Sequence, residues 1–187
     1  STVRYPYKSW GNGSAMRVSP TAWIHDTLTE TIKEAEKSAI VSHNHMQGII
    51  GARVVAGLIF LARTGSTKEE LLDWAKKYYI LDFTIDEIRP TYKFDATCQG
   101  SVPQAIRAFY DSTDFESCIR NAVSLGGDAD TLGAIAGSIA EAYSMHHPEY
   151  RIPDFMIDKI IEICPEEIIN LIKNFPGEYQ KFKYKQF

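Results

Sequence analysis

Two aspartates and a threonine, Asp128, Asp130 and Thr131, follow the glycine pair Gly126-Gly127 at the mouth of an apolar stretch, Leu132 to Ala140. In extended backbone alternate side chains share a face, so Asp128 and Asp130 can address one target while Ala129 turns away. Thr131 adds a hydroxyl that can cap the following helix or act as a further oxygen ligand. A donor set made only of oxygens suits a hard cation such as magnesium, manganese or calcium. The same residues also make an ordinary helix start, where the macrodipole favours acidic side chains. On residue types alone both readings stand.

A second stretch with chemical potential is Gly11-Asn12-Gly13-Ser14-Ala15-Met16-Arg17. Glycines there permit positive φ and close backbone approach. Consecutive N–H groups can cradle a phosphate, and Ser14 offers a hydroxyl donor. The competing expectation is a plain turn. His43 and His45, in Ser42-His43-Asn44-His45, fall between two expected helices and can contact a diphosphate or a ribose. Packing or capping is their ordinary role, and a zinc site shared with His146 and His147 is disfavoured because no cysteine or carboxylate stands at ligand spacing. Tyr92 and Phe94, on either side of Lys93, can stack on a purine or fill a gap beneath a loop. No Ser-His-Asp order is present, and nothing local marks Cys98 as an activated thiol.

The elements that must position these residues read as helices. Ser19-Pro20 opens one, and an amphipathic helix spans about 29–41. An apolar helix runs from about Met46 to Arg63 and stops at Gly65. Ser66 with Glu69, Thr84 with Glu87, Ser101 with Gln104 and Thr113 with Glu116 each have the spacing of a helix start. The helix begun near Thr113 ends at Gly126, and the one after Asp128 reaches about Met145. Pro153 and Pro165 each open a short C-terminal helix. The small residues Gly133, Ala136, Gly137 and Ala140 let another helix approach closely. No alternating strand pattern competes, so the fold class expected is all-α, a single domain over 1–187.

Composition narrows the function classes. A chain of 187 residues, 44% hydrophobic and 24% charged, can bury one sizeable core. A net charge of −4 gives no electrostatic case for holding a nucleic-acid backbone. The basic end, Lys181 to Lys185, reads as a solvated tail. The three cysteines are odd in number and widely spaced, with no CxxC pair, which points to a reducing compartment, hence cytoplasmic, rather than a disulfide framework. No membrane span is expected, because the most apolar stretch, Ile49 to Ala62, carries Arg53 and reads as a buried helix.

Taken together, the motifs resemble those of the ADP-ribosylglycohydrolase family. Ser9 to Pro20 is similar to its glycine loop, and Ser42 to His45 with Gly48 and Gly51-Ala52 to its second loop. Cys98 to Ala105 and Phe115 to Thr131 follow in the family's order and spacing, the last being the most specific. The resemblance implies an orthogonally packed helical fold with a two-metal cleft, usually Mg2+, with Mn2+ as a substitute. It also implies that Asp128, Asp130 and Thr131 are metal ligands. Gly11, Asn12, Gly13, Ser14, Ala15, Met16 and His43 would then hold the diphosphate of ADP-ribose. The partner implied is ADP-ribose or an ADP-ribosylated protein, from which the family removes ADP-ribose.

The family's Thr-Asp-Asp cluster and its acidic catalytic residue lie in an N-terminal segment, and no Thr-Asp-Asp occurs here. The expectation is therefore the C-terminal part of a longer domain, with a catalytically inactive, ADP-ribose-binding or structural relative as the alternative.

Overall fold

A computed structural model describes residues 5–174. The basic stretch from Lys181 to Lys185 lies outside the described residues. Among those described, ten α-helices form the fold, and the backbone pairing outside helices is an isolated bridge between Gly11 and Thr97. The helices are α1 (Gly13–Met16), α2 (Leu28–Ile40), α3 (Met46–Arg63), α4 (Lys68–Ala75) and α5 (Ile85–Ile88). They continue with α6 (Cys98–Tyr110), α7 (Phe115–Ser124), α8 (Ala129–Tyr143), α9 (Asp154–Ile163) and α10 (Glu166–Lys173). The all-α expectation holds.

Helix α3 is the axis of the molecule. It packs against α1, α2, α4, α6 and α8, and α8 in turn packs against α6 and α7. By length and apolar composition alone α3 would pass as a membrane span. Two-thirds of it is buried inside this protein, where Val54, Val55, Leu58 and Ile59 meet the core. Close approach depends on small residues. A Cβ on Gly51 would lie 2.4 Å from Cys98 Sγ, so glycine there lets the start of α6 sit directly on α3.

Most helix starts follow local capping chemistry, in registers that differ in places from the sequence reading. Thr84 and Glu87 form a capping box as expected. The box at α4 is Thr67 with Glu70, one residue later than Ser66 with Glu69, and that at α7 is Asp114 with Ser117 rather than Thr113 with Glu116. Helix α6 begins at Cys98 under a Thr97 cap, so Pro103 falls inside the helix. Ser101 is then a buried helical residue whose hydroxyl donates to Asp95 O instead of capping.

The C-terminal helices start after Pro153 and Pro165. The turn before them is anchored to the body by Tyr150, which is buried and donates its hydroxyl to Ser112 O at 2.7 Å.

Candidate ADP-ribose and cation site

Three segments far apart in sequence meet at one place: the turn from Gly11 to Met16, residues 92–98, and the start of α8. Backbone bonds bind the first two together, Asn12 N to Ala96 O at 2.8 Å and Cys98 N to Trp10 O at 3.0 Å. Cys98 Sγ adds a contact to Gly11 O.

The glycine turn does not use positive φ. Positive φ among the described glycines belongs to Gly65, Gly126 and Gly127. What Gly13 supplies is the missing Cβ, which would stand 3.0 Å from His43 Nε2. The turn winds into the short helix α1, with Asn12 at its N-cap but making no side-chain bond to it. Ala15 is buried in the core, and Ser14 Oγ donates inward to Gly48 O at 2.7 Å. Met16 is exposed, and its sulfur receives the Thr131 hydroxyl at 3.4 Å. What the turn presents outward is therefore backbone, chiefly around Gly13, together with the Met16 side chain.

His43 lies under this turn, 8% exposed. Its Nδ1 pairs with Ser42 Oγ at 2.7 Å, leaving Nε2 toward Gly11 and Gly13. Burial, and secondarily the nearby Arg17 charge, push its pKa below the ordinary 6.5, so the ring is held neutral. His45 instead caps α3, its Nδ1 accepting from Gln47 N, and its ring meets Trp10 edge-on. His146 bonds to Arg63 O and His147 stacks on Tyr143. The four loop histidines thus have separate partners.

The start of α8 differs from the sequence reading in one respect. Asp130 lies in the first helical turn, not in extended backbone. Asp128 occupies the N-cap position, where a carboxylate ordinarily accepts from the helix N–H groups two or three residues on. It makes no such bond. Its Oδ2 accepts instead from Asn12 Nδ2 at 2.6 Å. Asp130 is exposed; hydrogen bonding to the Asp128 carboxyl, then the Thr131 N–H, hold its pKa below the ordinary 3.8. Thr131 is buried with its hydroxyl on the same side as Met16. Two adjacent carboxylates and a hydroxyl, with no sulfur or imidazole among them, are the donor chemistry of a hard divalent cation. Among the described residues no three His, Cys, Asp or Glu side chains converge.

The aromatic segment closes over the glycine pair. Tyr92 donates its hydroxyl to Gly100 O at 2.7 Å, and burial, with Asp95 and Asp128 adding to it, pushes its pKa up to about 12. Phe94 is 68% exposed beside Gly127. Reading the sequence missed Ser101 and Asp95 as parts of this assembly. The signal available was a small polar residue on the face of α6 that also carries Cys98, Val102 and Ala105 into the core.

The scaffold is all-α, with an oxygen-donor group beside a glycine turn. The ADP-ribosylglycohydrolase family profile matches residues 2–182, and the chain belongs to that family. It is 28% identical over 146 residues to the ADP-ribosylarginine hydrolase Tri1 of Pseudomonas putida, a match covering 74% of this chain and 39% of that protein. It is 29% identical over 149 residues to the ADP-ribosyl-dinitrogen reductase glycohydrolase of Rhodospirillum rubrum, covering 76% of this chain and 49% of the relative. A solved ADP-ribosylglycohydrolase-related protein complex superposes with a TM-score of 0.61 at 28% identity, over 74% of this chain and 52% of that one. The chain spans about half the length of the curated relatives it matches.

Proposed function

We propose that this chain forms the ADP-ribose-binding side of a hydrolase that releases ADP-ribose from a modified acceptor. The observation that carries the reading is the bond between Asn12 and Asp128, which brings the glycine turn and the aspartate pair into one site. In this reading the backbone around Gly13 faces the diphosphate, and neutral His43 supports the turn from below. Tyr92 and Phe94 offer ring faces to the purine.

Asp128, Asp130 and Thr131 would hold a divalent cation, Mg2+ or Mn2+, from one side. Such an ion, when bound, orients oxygens and stabilises developing negative charge. The contribution of this chain's own residues is positioning. The diphosphate end is held at the turn, so the distal ribose is carried toward the start of α8.

The test is release of ADP-ribose by the full-length protein from arginine-linked and serine-linked substrates, with Mg2+ or Mn2+ and with chelator. Metal-dependent release supports the reading. Binding of ADP-ribose without release from either linkage identifies a binding relative instead, and absence of both ends the proposal.

A further inference from the structure

A chain of polar contacts runs from the aromatic segment to the first aspartate. Ser101 Oγ donates to Asp95 O at 2.9 Å and accepts from Asn12 Nδ2 at 2.9 Å. The same amide nitrogen donates to Asp128 Oδ2 at 2.6 Å. Its orientation follows from chemistry. The single Ser101 hydroxyl hydrogen is committed to Asp95 O, so Ser101 Oγ accepts, and the NH2 end of Asn12 must face it. Both amide hydrogens are spent, and the Asn12 backbone N–H goes to Ala96 O. Ser101 is fully buried and Asn12 is 6% exposed, while Asp128 is half-buried. Asn12 therefore keeps no N–H for a ligand in the turn it belongs to.

We propose that Asn12 is a positioning residue. It holds the Asp128 carboxylate away from its own helix and, through Ser101, ties that rotamer to segment 92–95. The inference rests on the reading that Asp128 addresses a divalent cation. A carboxylate at the N-cap position has an alternative, to turn inward and cap α8. The short bond from the committed Asn12 amide to Asp128 Oδ2 competes against it, and the carboxylate makes no cap bond. Removing the Asn12 amide releases Asp128 to cap the helix. The result is a protein that stays folded and loses the orientation its cation site needs.

That signature separates positioning from a merely structural role. Mg2+ is titrated by calorimetry into the full-length wild type, Asn12→Ala and Ser101→Ala. Metal-free ADP-ribose binding and thermal melting are measured beside it. Asn12→Ala is expected to weaken Mg2+ binding by about 10- to 100-fold, the usual effect of removing a partner that orients a metal ligand. Its melting temperature stays near wild type. Ser101→Ala, which leaves the bond to Asp128 but frees the amide to swing, gives a smaller loss.

Wild-type Mg2+ affinity in Asn12→Ala overturns the inference, and so does a loss accompanied by a large fall in melting temperature. If Asn12→Ala does not fold, unchanged Mg2+ affinity in Ser101→Ala overturns it. A wild type that binds neither Mg2+ nor ADP-ribose defeats the functional reading itself. A wild type that binds both, with variants indistinguishable from it, defeats this inference alone.

Discussion

The backbone of Phe94 lies against Gly127 so closely that a Cβ there would stand 3.1 Å from Phe94 Cα and 3.0 Å from the Tyr92 ring. Gly127 also has φ +64, and its neighbour Gly126 has φ +70 with open space around it. The two glycines therefore separate conformational strain from contact. Gly126→Ala is expected to cost about 1–2 kcal/mol, the strain of the left-handed region for an L side chain. Gly127→Ala carries the same strain and must also displace the aromatic segment. Chemical denaturation should show the larger loss at Gly127, and calorimetry should show weaker ADP-ribose binding only there. Equal effects at both positions would remove the contact from the account.

The aspartate pair makes a separate prediction. Asp128→Asn with Asp130→Asn should abolish Mg2+ binding in the full-length protein while the far-ultraviolet helical signal persists. Asp128 makes no side-chain cap bond to α8, and Asp130 accepts the N–H of the adjacent Thr131, so asparagine at both positions leaves the helix's own backbone bonds in place. Unchanged Mg2+ affinity in the double variant would sink the assignment of these oxygens as ligands.

His43 gives the fold a pH dependence of definite sign. Its folded pKa lies below 6.5, chiefly through burial, so the unfolded chain binds the proton more readily. The stabilising contribution is fully present above the unfolded pKa of 6.5 and is lost as pH falls through that value toward the lower folded one. The gap in melting temperature between wild type and His43→Asn should shrink between pH 7.5 and pH 5.5. A gap that ignores pH would contradict this.

The cysteines should differ in reactivity. Burial pushes Cys98 up to about 11 and Cys118 up to about 12, whereas Cys164 is only half-buried. Because the thiolate is the reactive form, Cys164 should be modified first in the native protein at pH 8, with Cys98 and Cys118 protected until unfolding. Mass mapping after brief alkylation reads this directly, and early labelling at Cys98 would count against its buried setting.

Gly51→Ala should cost about 1–3 kcal/mol, the range for overpacking a close contact, since the new methyl collides with Cys98. A thermal melt measures it. Because Cys98 also bonds to Gly11 O, the turn should shift as well, and ADP-ribose affinity should fall with stability.

Much of the fold was legible because helix signals are local. The span from Met46 to Arg63 and the Thr84–Glu87 cap came through in register. Where two capping patterns overlap by one residue, as at Ser66-Thr67 with Glu69-Glu70, local spacing does not choose between them. The structure uses the later pair, Thr67 with Glu70. Ser101 with Gln104 imitated a helix start because a serine three residues before a glutamine is a capping pattern in either setting. Only the burial of Ser101 distinguishes them.

The candidate site was legible in parts and not in its joining. The spacing of Asp128, Asp130 and Thr131 marked an acidic helix start, but reading it as extended misjudged Asp130. The partner of Asp128 stands 116 positions away, and no local pattern announces a bond of that span. The glycine turn was recognised from its composition, yet its glycines serve close approach to His43 rather than unusual φ.

The contacts that close the site, Asn12 to Ala96, to Ser101 and to Asp128, all bridge segments that meet only after long loops have closed. Closing such loops costs entropy before any contact compensates it, and contacts of large sequence separation slow folding. Local helices α2, α3 and α4 can form and pack while the site does not yet exist. Formation of the candidate site therefore reports the completion of folding rather than its onset.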